Sequence, residues 1–155
     1  MLAEIAISNL GVISHASAEL SPGLTVLTGE TGAGKTMVVT GLRLLTGGRA
    51  DASRVRTGSD GAIVEGAFST GGLPEDAVGA VRDIATAAGA DADENGEYLV
   101  SRSVKASGRS SAHLRAESPG GRGDVADGAH RVLRQAPSAK PVSYTHLTLP
   151  TICSV

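Results

Sequence analysis

The stretch Gly29-Glu30-Thr31-Gly32-Ala33-Gly34-Lys35-Thr36 constrains this chain more than any other feature. It satisfies G-x-x-x-x-G-K-[ST], the pattern of a phosphate-binding loop. A phosphate chain needs backbone N–H groups aimed at it from close range. Gly32 and Gly34 carry no Cβ, so the backbone there can approach a ligand and take positive φ. The N–H groups of such a loop form a concave anion nest. A helix beginning at its end adds free N–H groups and a positive dipole end. In this pattern Lys35 reaches the β- and γ-phosphates of ATP, and the hydroxyl of Thr36 ligates Mg²⁺.

A glycine-rich turn could match by chance, but the flanking residues argue against that. Leu24-Thr25-Val26-Leu27-Thr28 reads as a short buried strand feeding the loop. Beyond the loop, Met37, Val38, Val39, Leu42, Leu44 and Leu45 supply the apolar face of a helix, and Gly47-Gly48 stops it. Strand, loop and helix follow in the order the chemistry requires.

Two strands are expected before the loop. The first spans residues 2–10 with Ala3, Ile5 and Ile7 on one face, and Asn9-Leu10-Gly11 ends it. The second spans 13–20, where Ala16, Ala18 and Leu20 alternate with His15, Ser17 and Glu19. His15 lies on the polar phase with no second ligand spaced near it, which suits a solvated residue. Residues 47–60 read as a polar surface loop. Residues 62–68 form a further strand. Pro74 is expected at the first position of a helix whose stripe is Ala77, Val81, Ile84, Ala85 and Ala88, with Gly89 ending it.

Asp91-Ala92-Asp93-Glu94-Asn95-Gly96 imitates the first half of a calcium loop. The twelfth position is Arg102 where a bidentate Glu is needed, so an acidic turn is the better reading. A hairpin follows, with strands over 98–104 and 109–114.

The chain has 155 residues, a formal net charge of −2, 2% aromatic residues and no Trp, so its core must rest on aliphatic side chains. A freestanding nucleic-acid-binding domain would be strongly basic. Cys153 is the single cysteine, so no intrachain disulfide can form. No apolar run approaches the ~20 residues of a membrane span. The start of the chain lacks the basic and apolar regions of a signal peptide. The expected location is cytoplasmic, with no membrane partner.

Several blocks together resemble the bacterial DNA repair protein RecN family. They are Ile5-Ala6-Ile7-Ser8-Asn9-Leu10-Gly11-Val12-Ile13, then Pro22-Gly23-Leu24 running on through the phosphate loop to Thr36, then Gly47-Gly48-Arg49-Ala50-Asp51. Val55-Arg56-Thr57-Gly58, Val64-Glu65-Gly66-Ala67-Phe68, Arg102-Ser103-Val104 and Gly108-Arg109-Ser110 follow in order. The resemblance covers residues 1–114. It implies an α/β P-loop NTPase fold: an ABC/SMC-type ATPase head, incomplete here, with an antiparallel β layer before and after the phosphate-loop helix. It also implies ATP and Mg²⁺ as cofactors. The implied partners are the second head of a homodimer and DNA, with action at double-strand breaks and association with the nucleoid. The implied nucleotide-binding residues are Gly29, Glu30, Thr31, Gly32, Ala33, Gly34, Lys35 and Thr36, with Thr36 also on the metal.

Residues 115–155 do not match that family. There is no heptad region, no Leu-Ser-Gly-Gly signature and no apolar run ending in Asp-Glu, so no catalytic residue is assigned. Residues 115–140 are rich in Gly, Ala, Arg and Pro, and 141–155 turn apolar and Thr-rich. The expectation is a shifted reading frame from about 115, with adapter or vector sequence over 141–155. That gives an ATP-binding part of a head over 1–114, then a poorly ordered tail. The strand at 24–28 would have an open edge, and the chain alone would be an inactive truncated product. Two other readings compete. A transporter nucleotide-binding subunit usually stacks adenine on an aromatic residue before the loop, yet no aromatic occurs before Phe68. A small P-loop kinase or GTPase opens with the loop strand itself, whereas here two strands precede it.

Overall fold

The computed structural model describes residues 1–30, 32, 34–90, 92, 96–115 and 144–148, the last five and Arg115 by backbone alone. The elements in order are β1 (Leu2–Leu10), β2 (Ile13–Glu19), β3 (Leu24–Thr28), α1 (Lys35–Leu45), a 3₁₀ turn (Ala52–Arg54), β4 (Gly61–Ser69), α2 (Glu75–Ala87), β5 (Glu97–Lys105), β6 (Ser110–Arg115) and β7 (Tyr144–Thr148).

Five strands form an antiparallel sheet in the order β2-β1-β4-β5-β6. Its register follows from apolar alternation. Ile5 lies opposite Gly66 and Ile7 opposite Val64. Val64 lies opposite Arg102, and Gly66 opposite Val100. Ile5, Ile7, Val64, Val100 and Val104 therefore share one face and are almost fully buried. A one-residue slip would turn that whole set to solvent. The facing residues Ser8, Ile63 and Ser103 lie on the other side, and Ile63 is 44% exposed.

Helix α1 lies across the apolar face. The closeness depends on Gly41, where a Cβ would stand 3.0 Å from Ile7 Cδ1 and 3.4 Å from Val64 Cγ1. Leu44 and Leu45 are buried beside it. Val81 and Ala85 of α2, with Tyr98 of β5, join the same cluster. Both helices close with a positive-φ glycine and paired 6→1 and 5→2 bonds. In α1 these are Gly48 N–H to Arg43 O at 2.6 Å and Gly47 N–H to Leu44 O at 3.1 Å. In α2 they are Ala90 N–H to Ala85 O and Gly89 N–H to Thr86 O, both 2.9 Å.

Three expectations need correction and a fourth is narrowed. Val39 points away from the sheet and is 54% exposed, because the buried stripe of α1 runs through Gly41, Leu44 and Leu45 instead. Pro74 caps α2 rather than opening it: its carbonyl accepts the first helical bond, from Val78 N–H at 3.0 Å. Strand β3 is half-buried, not buried, with Leu24 36% exposed. The expected open edge of β3 carries a partner on one side, since Tyr144–Thr148 pairs with it in parallel. The five-residue ladder satisfies backbone groups that would otherwise face water. The turn positions Asp91, Asp93, Glu94 and Asn95, and the tail over 116–143 and 149–155, lie outside the described residues.

Ile7 and Ile63 test the register. Ile7→Ala should cost about 2–5 kcal/mol, whereas Ile63→Ala should stay within about 0.5 kcal/mol. Urea unfolding of the two variants measures the difference. Equal losses would mean that the faces are assigned the wrong way round.

Candidate functional site

The sequence between β3 and α1 folds into a loop whose shape follows from its glycines. Gly34 is the N-cap of α1 with φ +92° and ψ 2°, a left-handed conformation that L side chains rarely adopt. It is also buried against the β1–β2 turn: a Cβ there would sit 3.1 Å from Ile13 Cγ1 and 3.7 Å from Val12 Cγ2. Gly32 has the same φ of +92°, with open space where its Cβ would be. Positive φ at Gly32 and Gly34 is the kind of backbone conformation from which anion nests are built.

The end of α1 is electrostatically open. Gly34 has no side chain to cap it, and no acidic residue lies in the first turn. The first carbonyl bonds form at once, from Met37 N–H and Val38 N–H to Gly34 O at 2.8 and 3.1 Å. Lys35 folds back over the loop. Its Nζ donates to Glu30 O at 2.7 Å and also to Gly29 O. These bonds hold the ammonium across the loop mouth, the place from which a phosphate would accept. Thr36 is exposed. Its carbonyl accepts from Thr40 Oγ1 at 2.8 Å, while its hydroxyl makes no hydrogen bond among the described residues.

Gly29, Glu30, Gly32, Gly34, Lys35 and Thr36 thus converge on one loop. Thr31 and Ala33 lie outside the described residues. Among the described residues no group of three His, Cys, Asp or Glu side chains could hold a metal. A cation at Thr36 would combine the threonine hydroxyl with phosphate and water oxygens, a coordination that suits Mg²⁺. The donor set fits a nucleotide phosphate chain with its metal. His15 is exposed and hydrogen-bonded to Ser8 Oγ at 3.1 Å, consistent with a solvated strand residue.

The segment after α1 is held more firmly than its polar composition suggests. Asp51 caps the 3₁₀ turn, accepting from Ser53 N–H at 3.0 Å and Ser53 Oγ at 2.7 Å. Those bonds, ahead of Arg54 and Arg49, keep its carboxyl below the usual range. Leu10 and Val55 form an isolated bridge. Gly11 N–H donates to Arg54 O at 2.6 Å, and Arg56 N–H to Asn9 O at 2.9 Å. The Arg56 guanidinium donates to Val12 O at 2.8 Å. This brings Arg56 to the same turn that supports Gly34. Asn9-Leu10-Gly11 announced a turn, but its docking partners, Arg54, Val55 and Arg56, lie far along the chain and left no local signal.

No helix among the described residues is long and apolar enough to cross a membrane.

Gly34 supports a direct test. Gly34→Ala should destabilise the chain by about 1–3 kcal/mol through its positive φ, and more through the contact with Ile13. A thermal melt beside wild type measures it. An unchanged melting temperature would mean that the loop does not take this shape.

Comparison with known proteins gives the chain's family and fold. A family model described as AAA domain matches residues 4–118. DNA repair protein RecN of Mycobacterium leprae is 56% identical over 114 residues, 74% of this chain and 19% of that protein. RecN of Streptomyces coelicolor is 59% identical over 108 residues, 70% of this chain and 18% of that protein. The chain thus spans about a fifth of the length of these curated relatives. A Smc head domain with an extended coiled coil from Pyrococcus furiosus, solved with the C-terminal domain of ScpA, superposes with TM-score 0.64 at 18% identity. It covers 87% of this chain and 33% of that one. The recombination mediator RecF superposes with TM-score 0.52 at 18% identity, covering 74% of this chain and 26% of that one. The fold is that of an ABC/SMC-type P-loop ATPase head, and the antiparallel sheet with α1 across it is the part of that head described here. The chain belongs to the AAA domain family, and RecN proteins are its relatives.

Proposed function

We propose that residues 29–36 bind the phosphates of ATP with Mg²⁺, and that the chain is the ATP-binding part of a RecN-like head acting in recombinational repair of DNA double-strand breaks. The observation that carries this is the uncapped, acid-free start of α1, with Gly34 in the left-handed region and Lys35 Nζ held across the loop mouth. The N–H groups of the loop and of the helix end would hold the phosphates. Lys35 would exchange its carbonyl partners for β- and γ-oxygens, where its charge counts for more. Thr36 would contribute its hydroxyl to the metal. Mg²⁺ supplies charge neutralisation between the phosphates when bound.

A solved SMC structure of the same fold concerns ATP-driven dimerisation and DNA-stimulated activation of SMC ATPases. By the same logic the loop would be completed by a second head of a homodimer, with DNA as the working partner. A cytoplasmic, nucleoid-associated location fits that role. Turnover needs an oriented water, a second metal-holding carboxylate and a closing head. The loop supplies a ground-state cradle and no more.

Lys35→Ala should remove most nucleotide affinity, and Thr36→Ala should weaken Mg²⁺-dependent binding while Thr36→Ser keeps it. Calorimetric titration with ATP, with and without Mg²⁺, measures all three. Equal behaviour of the two Thr36 variants would take Thr36 off the metal, and unchanged affinity in Lys35→Ala would remove the lysine from the site.

The 155-residue chain by itself should show no steady ATP hydrolysis. A coupled phosphate-release assay checks this. Turnover that disappears in Lys35→Ala would show that the chain holds a complete catalytic site.

A further inference from the structure

Met37 lies in the first turn of α1, two residues after Lys35. Its N–H donates to Gly34 O at 2.8 Å, so its backbone belongs to the start of the helix that ends the phosphate loop. Its side chain lies against Gly11 of the β1–β2 turn. A Cβ built on Gly11 would strike Met37 Sδ and stand 2.9 Å from Cγ and 3.7 Å from Cε. The thioether thus fills the space that a side chain at position 11 would take.

The turn under Met37 is held on its other side as well. Gly11 takes φ +57°. Its N–H donates to Arg54 O at 2.6 Å, and the Arg56 guanidinium donates to Val12 O at 2.8 Å. The next two residues, Val12 and Ile13, are those on which Gly34 rests. The start of α1 therefore meets this turn at two points, Gly34 on Ile13 and Met37 on Gly11. Met37 is only partly buried, so small solutes have access to the residue. The chain has two methionines and one cysteine, Cys153. The other methionine, Met1, begins the chain, and its amino group donates to Ser69 O.

We propose that Met37 is a modification site: oxidation of its thioether to the sulfoxide by a hydroperoxide loosens the β1–β2 turn from α1 and lowers nucleotide affinity. The second effect rests on the phosphate-binding function proposed above. In the oxidation, a sulfur lone pair attacks one oxygen of hydrogen peroxide. The S–O bond forms as the O–O bond breaks, and sulfur gives up two electrons. The proton of the transferred oxygen passes to the departing one, which leaves as water. The product is larger, polar and chiral. Its new oxygen is an acceptor that needs a donor. The nearby donors, Gly11 N–H and the Arg56 guanidinium, already serve Arg54 O and Val12 O. With Gly11 in contact, room for the oxygen comes from moving the turn or the thioether, and either motion weakens the support behind Gly34. A methionine sulfoxide reductase reverses the step, drawing two electrons from a dithiol and releasing the oxygen as water.

Hydrogen peroxide treatment of the full chain carrying Cys153→Ser tests the proposal, since that change removes the competing thiol. Peptide mass spectrometry locates the added oxygen, a thermal melt reads the fold, and calorimetric titration reads ATP affinity. Oxygen on Met37 should come with a lower melting temperature and an ATP affinity reduced at least about fivefold, the order of one unsatisfied buried acceptor. Methionine sulfoxide reductase with dithiothreitol should restore both. Met37→Leu keeps the shape without the sulfur, so it should bind ATP as the parent does and ignore peroxide. Adding Ile84→Met to that variant places a partly buried thioether on α2 instead, and its oxidation should leave ATP affinity unchanged. A fully oxidised Met37 with unchanged melting temperature and ATP affinity would overturn the proposal. So would an equal peroxide effect in Met37→Leu or in the Ile84→Met variant, or a Met37 that takes up no oxygen while the chain stays folded. Absent ATP binding by the untreated chain would count against the phosphate-loop function instead. Oxygen uptake and melting are read without nucleotide, and they still decide whether the Met37 thioether holds the turn.

Discussion

The seat of Gly34 on Ile13 is the contact on which the rest of the site depends. A residue with positive φ, pressed against a buried strand residue, admits only glycine. That one position joins the core to the chemistry. Ile13 belongs to the same cluster as Leu10, Ile7 and Val64. The loop is therefore shaped from below by the antiparallel sheet, while β3 directs the chain into it. Phosphate binding by backbone groups requires such support, because N–H dipoles stabilise charge well only when they need not reorganise.

Helix α1 distributes that order along its length. Its first turn presents N–H groups, its middle approaches the sheet through Gly41, and its last turns bury Leu44 and Leu45. The two ends differ in electrostatics as well as position. The start carries the positive dipole end with no acid in its first turn. The finish carries the negative end with Arg43 beside it. One rigid element thus holds the loop at one end and a cation in its last turn at the other.

The segment after α1 closes this arrangement. Arg54 and Arg56 hold it to the β1–β2 turn, the same turn that underlies Gly34. A change there can reach the loop through two backbone hydrogen bonds and one guanidinium contact.

Local chemistry settled much of this protein from the sequence alone. The strand–loop–helix order around residues 24–45 was legible because a phosphate loop demands particular residues at particular spacings. The strands over 2–10 and 62–68 were legible because alternation with period two marks a sheet with one buried face. The ends of both helices were legible because Gly47 and Gly89 take conformations other residues avoid. Tertiary structure decided the rest. Only the sheet register could show that Val39 faces water and that Gly41 is the close contact. Only folding could bring Arg56 to Val12, or gather Arg43, Arg49 and Arg54 around one cleft. Those associations depend on where distant segments dock, and neither propensity nor spacing along the chain encodes that.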